Sequence, residues 1–212
     1  MRTRHASSKF SRYAPGFIHT AAASQLGQML VKLCQQEGIT LVNVVRRQEQ
    51  ADTLRALGAE IVVISSEPDW EDQLKAIIKE KHIHLAFDAV AGEMTGKLLS
   101  LLPMSGTIFV YGKLASEGCS HIQPIDLIYR RKKIEGFYLG AWIMQGDSLS
   151  MLMRTRAATA CVHAGLVPGG WATSQFVDCS IDDMWERFLE MWKESGFTGR
   201  KLRIMFSNGQ QS

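Results

Sequence analysis

The sequence lacks the features that would assign this chain to a membrane, an oxidised compartment or a nucleic acid. No apolar run approaches the roughly 20 residues that a membrane-spanning helix requires. The four cysteines are far apart and include no Cys-x-x-Cys pair. They therefore indicate reduced thiols in an intracellular protein, not a zinc site or a disulfide framework. The formal net charge of +3 is too small to indicate nucleic-acid binding.

Acidic residues are also missing from the start of the chain, where the first carboxylate belongs to Glu37. Residues 1–14 are basic and contain several serines, a composition that is typical of mitochondrial transit peptides. This segment has no clear amphipathic period, however, and the first predicted strand follows it at once. We predict a disordered tail and a cytoplasmic location, and mitochondrial import remains the alternative.

Short apolar runs rich in β-branched residues alternate along the chain with segments of helical period. Strands alternating with helices favour an α/β fold of the Rossmann type, a doubly wound parallel sheet with helices on both faces. We predict one such domain over residues 15–206, followed by a tail at 207–212. The predicted strands are 17–20, 41–45, 61–64, 85–90, 107–111, 134–142 and 201–206, and the predicted helices are 26–37, 48–57, 66–81, 93–102, 124–131, 149–164 and 185–192.

The first strand–helix–strand unit, residues 16–47, carries the main functional prediction. Its strand is followed by a loop of small side chains and by a helix that ends at Gly38. Helical spacing predicts that Leu26 lies on the buried face of this helix and that Gln28 lies on the opposite face. Such a unit binds nucleotide phosphates, because the first turn of the helix presents backbone amides without intrahelical partners.

The glycine-rich fingerprint of dinucleotide-binding folds, G-x-G-x-x-G, is reduced here to a single glycine. Ala22 and Ser24 replace the first two glycines, and both need a negative φ. Gly27 is retained at the position that lets the helix pack close to the strand. Taken alone the motif is weak, since an ordinary strand-to-helix turn of an α/β domain is the alternative interpretation. The predicted phosphate loop consists of Ala22, Ala23, Ser24, Gln25, Leu26 and Gly27.

The end of the second predicted strand carries two adjacent arginines, Arg46 and Arg47. Proteins that prefer NAD place an acidic residue near this point to bind the adenosine ribose, whereas the first carboxylate here is Glu49. Two guanidinium groups suit a 2′-phosphate, because they form charge-assisted bidentate hydrogen bonds. The pair therefore favours NADPH as the cofactor, with a solvated basic turn as the alternative.

Several segments, in their order and spacing, make the chain resemble the cofactor-binding half of medium-chain dehydrogenases/reductases. The resemblance is strongest to the zinc-independent NADPH-dependent quinone reductases and 2-enoyl thioester reductases. It extends from about Pro15 to Phe206, and no single motif within it is specific. The segments that carry it are residues 20–27, 43–47, 57–60, 87–92, 106–112, 134–137 and 198–202.

The resemblance implies that residues 22–27 bind the pyrophosphate of NADPH and that Arg46 and Arg47 bind its 2′-phosphate. It further implies that the loops after the fourth and fifth strands line the ribose and the nicotinamide, and that three residues after the sixth strand flank the nicotinamide. The residues of these loops and of the segment after the sixth strand are Asp88, Gly92, Tyr111, Gly112, Phe137, Tyr138 and Leu139. A helix cap is the alternative for Asp88, and plain core positions are the alternative for Phe137 and Leu139.

The implied activity is hydride transfer from the nicotinamide to a quinone or to an enoyl or enone acceptor. Family members carry an N-terminal barrel-like domain that supplies the substrate pocket, and no segment of this sequence corresponds to it. A non-catalytic dinucleotide-binding module or a degenerate fragment is therefore the alternative function. The missing domain's face is expected to be covered by a second copy or a partner chain. We name no catalytic residue and predict no metal site, because no acid–base or ligand spacing supports one.

Two further segments give predictions that the structure can test. Residues 130–133 form a basic cluster that we predict to be a solvated helix end, because no aromatic residues accompany it as they would in a nucleic-acid patch. The last strand, residues 201–206, returns in the family to the domain that is missing here. It is expected either to leave an exposed apolar edge or to pair elsewhere.

Overall fold

The computed structural model describes residues 16–167, 169–172, 176–193 and 201–206. The tails predicted at 1–14 and 207–212 lie outside these residues. The six sheet strands are all parallel and are β1 (Gly16–His19), β2 (Thr40–Val45), β3 (Ile61–Ile64), β4 (Leu85–Asp88), β5 (Thr107–Val110) and β6 (Lys133–Gly136). Their spatial order, β3-β2-β1-β4-β5-β6, is that of the doubly wound dinucleotide-binding fold. The predicted fold class is confirmed.

Helices alternate with these strands, as the sequence pattern predicts. No helix in the described part of the chain is long and apolar enough to cross a membrane. The helices are α1 (Gln25–Glu37), α2 (Gln48–Ala56), α3 (Trp70–Lys81), α4 (Glu93–Leu101), α5 (Pro124–Ile128), α6 (Leu139–Met144), α7 (Ser148–Leu166) and α8 (Met184–Lys193).

Two apolar cores cover the two faces of the sheet. Alternate side chains of β2 point to opposite faces, as the pleat of a strand requires. Val42 and Val44 join the core that α3 and α4 close, whereas Leu41 and Val45 join the core that α1 and α2 close. This double burial explains why β2 reads as a continuous apolar run, interrupted only by Asn43.

The predicted orientation of α1 is wrong for Leu26 and Gln28. Leu26 is 48% exposed, whereas Gln28 is buried and its side-chain amide donates to the carbonyl of Ala23 at 2.8 Å. The reason is the close approach of the helix at Gly27, where a Cβ would lie 2.0 Å from the carbonyl oxygen of Ala22. That contact turns the side of α1 that carries Gly27 and Val31 towards the sheet. The spacing of apolar residues therefore does not decide which side of the helix is buried.

The apolar stretch 134–142 is a strand only at its start. β6 ends at Gly136, and α6 begins at Leu139, so the strand predicted to extend to Trp142 is wrong over its second half. An apolar run of this length is compatible with either period, and pairing with β5 decides where the strand stops. The third helix begins at Trp70 with Asp69 as its N-cap, four residues later than the start predicted at residue 66.

The last strand pairs elsewhere, which was one of the two expected outcomes. β8 (Lys201–Ile204) lies parallel to β7 (Phe176–Cys179) in a separate two-stranded sheet. Arg203 joins the two strands, because its guanidinium donates to both carboxylate oxygens of Asp178 at 2.6 and 2.7 Å. No prediction was made for β7, whose four residues carry no extended apolar run.

The basic cluster at 130–133 is not a purely solvated helix end. The ammonium of Lys132 is buried, lies 2.8 Å from a carboxylate oxygen of Asp126 and donates to the carbonyls of Leu99 and Ser100 at 2.7 and 3.0 Å. Arg130 contacts the same carboxylate oxygen at 3.2 Å. Lys132 therefore ties the segment before β6 to the end of α4, and the prediction is wrong for this residue.

Candidate functional site

The predicted site residues follow the strand ends at one edge of the sheet. Because the six strands are parallel, their carboxyl ends meet at this edge. Between β1 and β4 the strand order reverses, which in open α/β sheets creates the crevice where ligands bind. With strands roughly 4.8 Å apart, the ends of β1 and β6 are separated by about 15 Å. The edge thus brings together the phosphate loop, the arginine pair and the loops after β4, β5 and β6.

The phosphate loop joins β1 to α1 through a turn that Gly27 makes possible. Ser24 caps the helix, and its hydroxyl accepts from the amide of Gly27 at 3.2 Å. The first turn of α1 carries no acidic side chain that would repel an anion. Ala21, just before the predicted loop, has a φ of 51°, a left-handed conformation that alanine rarely adopts.

The other residues of the predicted loop differ in exposure. Ala22 and Gln25 are buried, Ala23 and Ser24 are half-buried, and Leu26 is exposed. A ligand at this turn would therefore be held by backbone amides and by the Ser24 side chain. Binding by this loop stays a prediction.

Replacing Gly27 with alanine is expected to destabilise the protein, because the new methyl group would lie within van der Waals overlap of the Ala22 backbone. The expected loss is about 1–3 kcal/mol, the usual cost of overpacking. Urea unfolding of the two proteins measures it. Gly118→Ala is the matched control, since a Cβ there meets nothing within 4 Å. Equal stabilities of the Gly27→Ala variant and the parent protein would contradict the close helix packing.

The arginine pair lies in the turn between β2 and α2. Arg46 is exposed and Arg47 is half-buried. The backbone amides of both donate to the side-chain oxygen of Gln50, at 3.0 and 3.1 Å. Gln50 thereby fixes the turn through backbone contacts, one strand away from the phosphate loop. The predicted role of the two guanidinium groups is compatible with this position and stays a prediction.

Asp88, at the end of β4, is the centre of a buried hydrogen-bond network. Its carboxylate accepts from the hydroxyls of Thr20 and Thr95 at 2.8 and 2.6 Å, and from the amides of Val90 and Ala91 at 2.9 and 3.3 Å. The side chain is fully buried, so it shapes the loop from within. Asp88 does not occupy the N-cap of α4, which is Gly92. A contact between this loop and a cofactor would involve its backbone.

The loops after β4 and β5 lie against each other. The amides of Leu114 and Ala115 donate to the carbonyls of Ala89 and Val90 at 3.1 and 2.8 Å. At Gly112 a Cβ would lie 3.0 Å from the carbonyl oxygen of Ala89, so a side chain there would push the loops apart. The two predicted segments therefore form one continuous wall of the edge.

The three residues predicted after β6 lie at the far end of this edge. Phe137 is half-buried and its amide donates to the carbonyl of Val110 at 2.8 Å. Tyr138 is 76% exposed and Leu139 is 55% exposed, so the alternative of a plain core position is wrong for Leu139. The large side chains of Tyr138 and Leu139 therefore lie exposed beside the carboxyl edge of the sheet.

A contact between His19 and Tyr111 at the same edge was not identified from the sequence. The Nε2 atom of His19 forms a hydrogen bond with the hydroxyl of Tyr111, and the two rings are stacked with centroids 5.9 Å apart. His19 is fully buried, and its Nδ1 atom has no partner among the described residues. The two residues are 92 positions apart in the chain, which is why spacing did not connect them. The signal that the sequence offered was His19 itself, a polar residue in the otherwise apolar strand β1.

Burial shifts the pKa values of both members of this pair. Desolvation lowers the pKa of His19 from 6.5 to about 4. Desolvation, together with the negative charge of Asp88, raises the pKa of Tyr111 to about 12. At neutral pH both side chains are therefore uncharged, and the hydrogen bond joins a neutral imidazole to a neutral phenol.

Acid is expected to destabilise the protein through His19. The unfolded chain takes up a proton near pH 6.5, but the folded protein resists it down to about pH 4, so stability falls between these values. The expected contribution is about 2 kcal/mol at pH 5 and about 3 kcal/mol at pH 4, at 1.36 kcal/mol per pH unit. Urea unfolding between pH 7 and pH 5 should be less pH-dependent in a His19→Gln variant. An unchanged pH dependence in that variant, with exposed His84→Gln as control, would contradict this assignment.

Other candidate sites do not coincide with this edge. A cavity of about 220 Å³ lies near the amino ends of β2 and β3, lined by Cys34, Asn43 and Gly58 among others, and none of the predicted site residues lines it. The part of the chain that the structure describes contains no group of three or more His, Cys, Asp or Glu residues placed to hold a metal ion. All four cysteines are free.

Comparison with known proteins gives one family and several relatives. The sequence profile of a family described as zinc-binding dehydrogenase matches residues 26–154, more than half of the chain. Human mitochondrial enoyl-[acyl-carrier-protein] reductase is 30% identical over 142 residues, which are 63% of this chain and 37% of that protein. The crystal structure of a putative NADPH:quinone reductase from Mesorhizobium loti has a TM-score of 0.70 at 26% identity, covering 92% of this chain and 54% of that one.

A further solved structure, the Etr1p/NADP/crotonyl-CoA complex, has a TM-score of 0.65 at 16% identity, covering 85% of this chain and 52% of that one. At this identity the similarity concerns the fold alone. The chain spans about two fifths of the length of the enoyl reductases that it matches.

Proposed function

This chain belongs to the zinc-binding dehydrogenase family, within the medium-chain dehydrogenase/reductase superfamily, and we propose that it is the cofactor-binding part of an NADPH-dependent oxidoreductase. One observation carries the proposal. The carboxyl edge of the sheet brings the amide end of α1, packed through Gly27, next to Arg46 and Arg47. A helix amide end suits a pyrophosphate, and a pair of guanidinium groups beside it suits a 2′-phosphate.

Each part of the edge has a separate task in this proposal. The first turn of α1 binds the pyrophosphate through its amides, and Arg46 and Arg47 bind the 2′-phosphate. The wall formed by the loops after β4 and β5 orients the ribose and the nicotinamide, beside Tyr138 and Leu139. The bound cofactor supplies the hydride, whereas the chain supplies binding and orientation.

The proposed acceptor is a quinone or an enoyl or enone compound. Support comes from the names of the relatives, which include an enoyl-[acyl-carrier-protein] reductase and a putative NADPH:quinone reductase. Both proteins extend well beyond the region that they share with this chain. We therefore propose that a second wall of the substrate pocket comes from outside the described residues, from a second copy or from a partner chain.

A non-catalytic dinucleotide-binding module is the second candidate. It is favoured by the alanines at the phosphate turn, where the fingerprint glycine is replaced by Ala22 and the preceding Ala21 adopts a positive φ. Methyl groups at these positions leave less room for the backbone to approach a pyrophosphate. This candidate predicts cofactor binding without turnover.

Calorimetric titration of the purified chain with NADPH, and separately with NADH, tests the proposal. Selective binding of NADPH is the expected result, and absence of binding by a folded sample would overturn it. Mixing the NADPH-bound protein with a quinone or a crotonyl thioester then separates the two candidates. Loss of absorbance at 340 nm supports the oxidoreductase, whereas binding without oxidation, by the chain alone and also by its oligomer or its complex with a partner chain, supports the non-catalytic module.

We propose a mitochondrial location, because the composition of residues 1–14 is typical of a mitochondrial transit peptide. The human relative is named as mitochondrial, which supports the import alternative over the cytoplasmic one. Microscopy of the full chain carrying a C-terminal fluorescent tag tests it, and a diffuse cytoplasmic signal would overturn it.

A further inference from the structure

His19 and Tyr111 occupy the crevice edge next to the point where the strand order reverses. His19 is the last residue of β1, and Tyr111 directly follows β5. Both neighbour the network of Asp88, because the amide of Tyr111 donates to the Asp88 carbonyl at 3.0 Å and the amide of Thr20 donates to the carbonyl of Phe87 at 3.1 Å. The pair is therefore attached to the same loops that form the wall of the proposed cofactor site.

The unpartnered nitrogen of His19 determines the direction of its hydrogen bond. A neutral imidazole carries one proton, either on Nδ1 or on Nε2. A buried N–H without an acceptor is less favourable than a buried lone pair without a donor. Because Nδ1 has no partner among the described residues, we assign the proton to Nε2, which then donates to the oxygen of Tyr111.

This tautomer leaves the hydroxyl proton of Tyr111 available. The phenol oxygen accepts from His19, so its own O–H must point to another acceptor. Tyr111 is also the accessible member of the pair, since it is half-buried whereas His19 is fully buried. The raised pKa of Tyr111 keeps that proton in place over the whole neutral range.

We propose that Tyr111 donates a hydrogen bond to an oxygen of the nicotinamide half of the bound dinucleotide, and that His19 is the positioning residue that fixes this donor. The proposal rests on the proposed function, because it assumes that the dinucleotide occupies this edge. It assigns a task to a fully buried histidine. His19 holds the phenol by stacking and by one hydrogen bond, so that the donor is oriented before the cofactor arrives.

The test is calorimetric titration of the full chain and its variants with NADPH and NADH. Tyr111→Phe keeps the ring and removes the donor, and it is expected to weaken both cofactors about ten-fold, the loss of one hydrogen bond. His19→Leu is expected to give a similar loss, and the double variant should lose no more than either single variant. His19→Gln should restore most of the affinity, because its side-chain amide can donate to the same oxygen. If His19 had only a structural role, the His19→Gln and His19→Leu variants would not differ in cofactor affinity in this way.

Three outcomes distinguish failure of this inference from failure of the proposed function. Wild-type affinity of Tyr111→Phe for both cofactors, in a protein that still binds NADPH selectively, would overturn the inference alone. Equal affinities of the His19→Leu and His19→Gln variants would overturn the positioning role of His19. Absence of binding by the folded wild-type chain would overturn both proposals. Thermal unfolding of each variant shows whether a loss of affinity accompanies a loss of fold.

Discussion

Replacing Arg46 and Arg47 with alanine is expected to weaken NADPH binding by about 100- to 10,000-fold and to leave NADH binding nearly unchanged. Each guanidinium that binds the 2′-phosphate contributes a charge-assisted hydrogen bond, worth about 1.5–3 kcal/mol. NADH has no 2′-phosphate, so it does not benefit from either arginine. The dissociation constants for both cofactors, measured calorimetrically at one ionic strength, give the selectivity directly.

The backbone contacts of this turn do not require the two arginine side chains. The turn that carries the arginines is held by their backbone amides, which donate to Gln50, and alanine keeps both of these bonds. Arg55→Ala is the matched control, because Arg55 is an exposed arginine at the other end of α2 and pairs locally with Asp52 at 3.3 Å. Equal losses for NADPH and NADH would remove the assignment of the 2′-phosphate to this turn.

Replacing Lys132 with methionine is expected to lower the free energy of unfolding by about 3–5 kcal/mol, the usual cost of breaking a buried ion pair. The side chains of Lys132 and Asp126 are only 1% and 3% exposed, so the carboxylate would be left buried without its main partner. The carbonyls of Leu99 and Ser100 would lose their donor as well. Arg130 is half-exposed and 3.2 Å from the same oxygen, so it compensates only in part.

Urea unfolding of the Lys132→Met variant measures this loss. Lys133→Met is the matched control, because Lys133 is the exposed neighbour, and its expected change is within about 0.5 kcal/mol. Adding Asp126→Leu to Lys132→Met should restore part of the stability, since it removes the uncompensated charge. Equal stabilities of the Lys132→Met and Lys133→Met variants would contradict the buried ion pair.

Much of the fold follows from local features of the sequence. Gly38 ends α1 with a φ of 67°, which a glycine adopts without strain, and β3 occupies residues 61–64 as predicted. The alternation of strands and helices specifies parallel pairing, since a helical crossover returns each strand in the same direction. The predicted site residues lie at one edge for the same reason, because each of them follows a strand end.

Hydrophobic periodicity failed where a polar side chain is buried against a specific partner. Gln28 is polar and was therefore predicted to be exposed. It is buried because the close contact at Gly27 brings α1 against the turn at Ala22. Lys132 appears solvated in a basic run, yet its ammonium finds a carboxylate and two carbonyls. In both cases a polar group is buried together with its hydrogen-bond partners, and hydrophobic periodicity contains no information about those partners.

The sequence by itself determined the order of strands and helices from β1 to β6, the close contact at Gly27 and the position of the arginine pair after β2, because each depends on neighbouring residues and on backbone sterics. Only the tertiary structure decided the pairing of β7 with β8, the burial of Lys132 and the contact of His19 with Tyr111. These features join residues that are remote in the chain, and the packing of the sheet and its helices determines which of them meet.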